Sequence, residues 1–396
     1  MARALRDAPR GGHVQSGPDV HCKDAMRNFH CSFCGNLVLF ESTACIGCSH
    51  RLAYDFEGRR MVAIARHGNG TWRIAGGDRD GAPADPCANY DGYGVCNWLA
   101  PQHASGGLCR SCELTRTVPN LADWANREPW SRTEQAKCRL LYSLHRLGLP
   151  WHSRRDDPEH GLAFDILSDA DADDGMVTTG HDEGVITLSL QEADDVVRED
   201  RRRHNREQYR TVLGHFRHEI GHYYWNLLVR DANRIDMFRR VFGSEERDYC
   251  ASLERHYSEG PPADWQARFI SAYASVHPWE DFAETFAHYL HMADVLEIAD
   301  DAGLALEPHD LEAPRLAPQL RDDADEPFDG LMQRWSALAF VLNNLNRGMG
   351  LRDAYPFALN AAATAKLRFV HDLVLAARNG ARDSRETARE MTVATG

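Results

Sequence analysis

With 396 residues, 43% of them hydrophobic, the chain is long enough for two or three domains and has ample apolar material for a sizeable core. A net charge of -14 argues against a chain-wide nucleic-acid binder, and the near-neutral balance of residues 1–125 places the acidic excess downstream. The longest apolar stretch, Trp335 to Leu342, is far short of the roughly 20 residues a membrane-spanning helix needs, so no membrane partner is expected.

Residues 1–25 are rich in Arg, Ala, Gly and Pro and hold no continuous apolar run of the kind a secretory signal carries. They are expected to form a disordered leader, with a cytoplasmic location for the protein and Met26 as an alternative start. In a chain without such a signal, 11 cysteines point to metal ligands rather than disulfides.

Residues 26–120 read as a zinc-ribbon region. Cys31-x2-Cys34 and Cys45-x2-Cys48 form two knuckles with ten residues between them, a spacing that suits one closed four-sulfur zinc site. The runs Leu37 to Phe40 and Met61 to Ala65 supply the short strands of a ribbon. A second set, Cys87, Cys96, Cys109 and Cys112, opens with a wider gap; it reads as another structural zinc site, against the alternative that one or two of its members are ordinary buried cysteines. One or two structural zincs are thus expected, with Cys22, Cys138 and Cys250 outside the ligand sets. Closed sites of this kind add folding energy and carry no catalysis, although a ribbon can dock a protein partner.

Residues 121–380 read as a mostly helical domain with a small sheet, so that the whole is α+β. Ser131-Arg132-Thr133-Glu134 predicts a capping box opening a helix that carries Leu140, Leu141, Leu144 and Leu147 before Gly148 and Pro150. Leu162 to Leu167 and Val185 to Leu190 are predicted strands, the second after a turn at Gly180 to Gly184. The second strand is either an ordinary core strand or an edge strand that pairs with an extended substrate. Arg201 to Arg203 is expected in a solvated loop, and so is Arg321 to Glu326; apolar helical runs cover Trp335 to Leu345 and Leu367 to Leu375, and residues 381–396 form a disordered tail.

The chemistry sits in His218-Glu219-Ile220-Gly221-His222. On a helix, residues i and i+4 share a face, so His218 and His222 can hold one zinc while Glu219 takes a proton from a coordinated water. A catalytic zinc usually has three protein ligands, and the third is sought in Trp279 to His288, where Glu280 and Glu284 lie four apart among Phe282, Ala283, Phe286 and Ala287. Glu280 is taken as ligand and Glu284 as the carboxylate that orients a ligand histidine. His215, His288 and His291 fit the ligand spacing less well. Tyr273 is either an oxyanion-stabilising phenol or a core tyrosine.

These motifs resemble a bacterial family of zinc-binding metallopeptidases with an N-terminal zinc-ribbon region. The resemblance rests on CSFC, CIGC, GVCNW, LCRSC, GHFRHEIGHYYW, SAYASVHPWEDFAETFAHYLH and NNLNRGMGLRDAYPF, and covers roughly residues 29–378. HExGH followed by a tyrosine, six residues and ExFAE is also similar to gluzincins of the anthrax lethal factor type. That similarity implies Glu280 as zinc ligand and Tyr273 facing the substrate carbonyl. The expected function is hydrolysis of a peptide or protein substrate with one catalytic zinc and Glu219 as general base. Two rivals stand beside it: a zincin-fold binding or adaptor protein without turnover, and a DNA-associated protease that docks through its ribbon.

Overall fold

A computed structural model of the chain describes residues 29–394 apart from 69, 103, 173, 174, 206, 308–314 and 318–325. The expected leader, Cys22 and all of Arg321 to Glu326 except Glu326 lie outside the described residues.

In the cysteine-rich region, β1 (Phe29–His30) pairs antiparallel with β2 (Leu37–Val38), and β3 (Arg51–Asp55), β4 (Arg60–Arg66) and β5 (Trp72–Ala75) form an antiparallel meander. Consecutive residues Leu52, Ala53 and Tyr54 are all buried, so β3 is covered on both faces. A short helix, α1 (Ala88–Tyr93), is fastened by the Tyr90 hydroxyl, which donates to the Leu52 carbonyl at 2.6 Å. One cover is aromatic: Phe29, Phe40 and Tyr54 cluster against Tyr142, 5.2 Å from the Phe40 ring, and Phe56 stacks on His145 at 3.9 Å. Tyr142 and His145 belong to α2 (Arg127–Arg146), so the first region and the helical region share one core.

The capping box expected at Ser131 is not where α2 begins. Asp123 accepts from the Ala125 amide at 3.0 Å, a turn follows, and the helix is under way by Arg127, with Pro129 in its first turn, where no intrahelical amide is needed. Glu134 is instead wholly buried. It pairs with Lys137 at 2.6 Å and accepts from Trp130 Nε1 at 3.2 Å and Thr115 Oγ1 at 3.1 Å.

Thr115 opens β6 (Thr115–Thr117), which joins β7 (Ala163–Leu167), β8 (Gly180–Asp182) and β9 (Val185–Ser189) in one sheet of order β6-β7-β9-β8. β6, β7 and β9 run parallel, and β8 is antiparallel at the edge. The strand expected at Val185 to Leu190 is therefore interior, and the edge strand is Gly180–Asp182, where only a turn was expected. The turn itself is two residues, Glu183 and Gly184, with φ of 37° and 89°. A Cβ on Gly184 would lie 2.4 Å from the His160 carbonyl oxygen, which fixes glycine there.

α3 (Asp195–His204) follows, capped by Asp194, and takes Arg201 to Arg203 into its last turn, so these arginines are helical rather than in a loop. There they suit the negative end of the helix dipole, and Arg201 reaches the buried Glu192 at 2.6 Å. α4 (Val212–Trp225) carries the HEIGH sequence, capped by Thr211 Oγ1 accepting from the Gly214 amide at 2.9 Å. Then come α5 (Ile235–Phe242), α6 (Tyr249–Glu259), α7 (Trp265–Arg268), α8 (Pro278–Asp301), α9 (Phe328–Gly348) and α10 (Ala361–Ala394). The last continues to Ala394, across residues expected to be a disordered tail. α4 and α8 form the most extensive helix pair, with Tyr224 stacked on Phe286 at 5.2 Å. The architecture is α+β: a β-rich cysteine region followed by a mostly helical region built on one small mixed sheet. Among the described residues no helix is long and apolar enough to cross a membrane.

Candidate metal centre

Where α4 crosses α8 there is no room for a side chain on Gly221: a Cβ there would lie 2.9 Å from Ala283 Cα and 3.1 Å from its carbonyl oxygen. This close approach brings the carboxylates of α8 to the imidazoles of α4. His218 Nε2 lies 2.9 Å and His222 Nε2 3.5 Å from the same oxygen, Oε2 of Glu280. The ligand atoms of His218, His222 and Glu280 all fall within 4.8 Å of one another. α8 starts where it does because His277 caps it, Nδ1 accepting from the Trp279 amide at 3.1 Å with Pro278 at the first helical position.

The other nitrogen of His218 is held by Glu284, Nδ1 to Oε1 at 2.7 Å, and the Ser271 hydroxyl donates to Oε2 of Glu284 at 2.5 Å. With its Nδ1 proton directed at Glu284, His218 turns Nε2 toward another carboxylate oxygen, an arrangement that requires a cation between them or a second proton on the ring. Burial disfavours the charged imidazole, yet Glu280 and Glu284 outweigh it and hold the His218 pKa well above its ordinary value. Burial likewise opposes the charged Glu280, and His222 and His218 still hold its carboxyl well below the usual range. Two imidazole nitrogens and one carboxylate oxygen, with a carboxylate orienting one imidazole, form a donor set that fits zinc.

Around these ligands, Trp279 lies against the His222 ring at 3.7 Å, and Tyr273 lies 5.8 Å from the His218 ring. Glu219 is buried beside them, and burial raises its pKa above the ordinary carboxylate range. The edge strand β8 brings His181 within 6.1 Å of His222; burial above all lowers the His181 pKa to about 3, so its ring is neutral, with Nε2 accepting from the Gly184 amide at 3.0 Å.

Both cysteine sets also gather. Cys31 and Cys48 are 3.6 Å apart at sulfur, as are Cys34 and Cys45, and Cys96 and Cys109 are 3.5 Å apart. These separations are far beyond the roughly 2.05 Å of a disulfide and close to the edge of a tetrahedron with bonds of about 2.3 Å to zinc. Backbone amides of Trp98, Cys109 and Cys112 point at the sulfurs of Cys96, Cys87 and Cys109, each at 3.4 Å. Of the remaining cysteines, Cys138 donates to Ser111 at 3.3 Å and Cys250 is exposed.

The structure brings together His218, Glu219, His222, Tyr273, Glu280 and Glu284. The substitute ligands lie elsewhere: His215 pairs with Glu192 at 2.9 Å, His288 with the Tyr355 hydroxyl at 2.8 Å, and His291 stands among Tyr209, Trp335 and Tyr355. Asp281, next to Glu280, faces away to Lys366 at 2.6 Å; burial pushes its pKa up to about 7, against the pull of that lysine. Sequence reasoning missed Ser271, His181 and Tyr249, whose hydroxyl donates to Oε1 of Glu280 at 2.8 Å. Ser271 and Tyr249 come from loop and helix starts with no motif spacing to Glu280 and Glu284, and only the strand His181 occupies places it near His222.

A two-histidine, one-glutamate cluster on crossed helices, in a chain that also gathers two four-cysteine sets, is the donor arrangement of a zinc-binding protein of the metallopeptidase type. Residues 126–373 match the family described as "Putative zinc-binding metallo-peptidase", and residues 28–123 match a zinc-ribbon domain. The chain belongs to that zinc-binding metallo-peptidase family. It is 43% identical over 350 residues to uncharacterized proteins of Mycobacterium tuberculosis and Mycobacterium bovis, covering 88% of this chain and 95% of each relative. No solved structure matches it.

Proposed function

We propose that the protein is a zinc-dependent peptidase in which His218, His222 and Glu280 hold the metal and Glu219 is the general base. The observation that carries this reading is the convergence of both Nε2 atoms on one Glu280 oxygen while Glu284 holds the far side of His218. Zinc at such a centre supplies a Lewis acid and lowers the pKa of water toward neutrality. Glu219, next to His218 on α4, takes the proton of the attacking water and returns it to the leaving amine. Tyr273 presents its hydroxyl to the developing oxyanion. The outer edge of β8, to which no further strand pairs among the described residues and which carries His181 beside His222, pairs with the extended substrate backbone. One zinc is assigned to this centre and one to each cysteine set.

The test pairs two variants. Glu219→Gln is expected to keep three zincs per chain by elemental mass spectrometry and to lose turnover of a peptide library by at least about 100-fold. Glu280→Ala is expected to fall to two zincs per chain, the cysteine sets remaining full. Wild-type cleavage by the first variant would remove Glu219 as base, and full zinc in the second would remove Glu280 from the ligand set.

A further inference from the structure

Helix α6 lies over the metal centre without a core of its own. None of its residues is buried. Its half-buried positions, Tyr249, Ser252, Leu253 and His256, fall at i, i+3, i+4 and i+7, a single helix face, and the rest are exposed. That face is turned to the site: the Tyr249 ring is 5.5 Å from His277 and 5.9 Å from Trp279, and the His256 ring is 5.9 Å from Tyr273.

The segment is bounded by two glycines in backbone conformations essentially reserved for glycine. Gly243 has φ 93° and ψ -176°, and Gly260 has φ 82° and ψ -179°. A Cβ on Gly260 would meet nothing within 4 Å, so conformation rather than crowding calls for glycine there. Near its start the segment is tied down by His277 Nε2, which donates to the Arg247 carbonyl at 3.1 Å, and by Arg239 pairing with Glu245 at 2.5 Å. Further along, Ser252 and Ser258 bond back to carbonyls of their own segment. Among the described residues the polar link from α6 into the site runs through the Tyr249 hydroxyl, which donates to Oε1 of Glu280 at 2.8 Å, the oxygen of that carboxylate not shared by the two imidazoles, and also meets the Tyr273 hydroxyl.

We propose that α6 is a lid over the metal centre, latched by the bond from the Tyr249 hydroxyl to Glu280, so that one hydrogen bond both orients the metal ligand and holds the helix down. The proposal rests on the assignment of Glu280 as ligand made above. Tyr249 is then a positioning residue: its bond to Oε1 leaves Oε2 for the metal, and a peptide segment enters when the latch opens. Rupture of the latch frees a helix with no buried residue to swing about Gly260, so lid opening and metal retention are coupled.

The test is Tyr249→Phe in the full-length, zinc-loaded protein, which keeps the ring contacts and removes the hydroxyl alone. Two quantities are read, neither of them activity: the rate at which a chelator removes the zinc that Glu280→Ala lacks, and amide hydrogen exchange across 249–259. Zinc release is expected to quicken roughly 10- to 100-fold, as for loss of a group that orients a ligand. Exchange in α6 is expected to rise about tenfold or more, the factor that one hydrogen bond to a charged group contributes to a closing equilibrium, with exchange in α4 and α8 unchanged. His256→Ala, which leaves the latch intact, is expected to release zinc at the wild-type rate. If either quantity is unmoved in Tyr249→Phe, or if His256→Ala releases zinc as fast as Tyr249→Phe, the latch is wrong. Should Glu280→Ala itself retain all its zinc, the ligand assignment fails first, which separates the two failures.

Discussion

In the cysteine-rich region the outermost ligands of the first set, Cys31 and Cys48, are 17 positions apart, whereas His218 and Glu280 are separated by 62. The sulfurs are gathered by tight turns whose amides point back at them; the imidazoles and carboxylates are gathered by two long helices pressed together at a glycine. Four donors from short loops close a coordination sphere and make it part of the fold. Three donors on helices leave room for a fourth partner, and those helices are pressed together by apolar contacts such as Tyr224 on Phe286. On the assignment proposed above, the same element would staple one region and work in the other, and what differs is whether the chain supplies the last ligand.

The contrast is broken most severely by taking a sulfur away. Structural zinc contributes on the order of 10 kcal/mol of folding free energy, comparable with the roughly 5–15 kcal/mol that holds a whole domain. Cys109→Ser, at a fully buried position of the second set, is accordingly expected to abolish the cooperative thermal transition of the cysteine-rich region. A full-length protein that still melted at the wild-type temperature would show that this set is not a staple.

The seam between the regions comes next. Lys137 and Glu134 are a buried pair on α2, linked through Thr115 to the first strand of the mixed sheet. Lys137→Met leaves the carboxylate without its cation and is expected to cost about 3–5 kcal/mol in a urea titration. A loss under about 1 kcal/mol would mean that Trp130 and Thr115 suffice to hold Glu134.

The smallest effect on stability, but a sharp one on the helical site, is expected for Gly221→Ala. The added methyl must push α8 away from α4, at about 1–3 kcal/mol of overpacking, and should remove the zinc that Glu280→Ala removes while sparing the cysteine sets. Retention of that zinc with unchanged stability would show that the helices can part without disturbing the ligands.

Much of the candidate site was legible because the residues that compose it lie on regular elements. His218 and His222 share a helix face by period alone, and Glu280 and Glu284 do the same on α8, with interleaved phenylalanines marking which side is buried. The ribbon sulfurs were legible for a related reason: Cys-x2-Cys turns bring both thiols to one point whatever surrounds them. What could not be read were contacts set by tertiary approach. Tyr249 reaches Glu280 from 31 positions away and Ser271 reaches Glu284 from 13, through segments with no period in common with α8. The strand at the edge of the sheet was read as a turn for a similar reason. A three-residue strand starting at a glycine looks like part of a turn until β9 is there to pair with it. At the start of α2, a good capping sequence at Ser131 lost to an earlier start from Asp123, because burying Trp130 and Glu134 requires the helix to be under way by then.

By itself the sequence determined the chemistry on offer: three Cys-x2-Cys pairs with Cys87 and Cys96 beside the last, two imidazoles one turn apart and the carboxylates four apart on a second helix. These follow from spacing along single elements, where covalent geometry and helix period leave little freedom. Tertiary structure alone decided how that chemistry is arranged: that Glu280 turns inward while its neighbour Asp281 turns to Lys366, that β8 rather than β9 borders the site, and that α6 lies across it with Tyr249 on Glu280. Each of these depends on how closely α4 and α8 approach and on which surfaces remain to be covered, and packing between distant segments is a property no local spacing encodes.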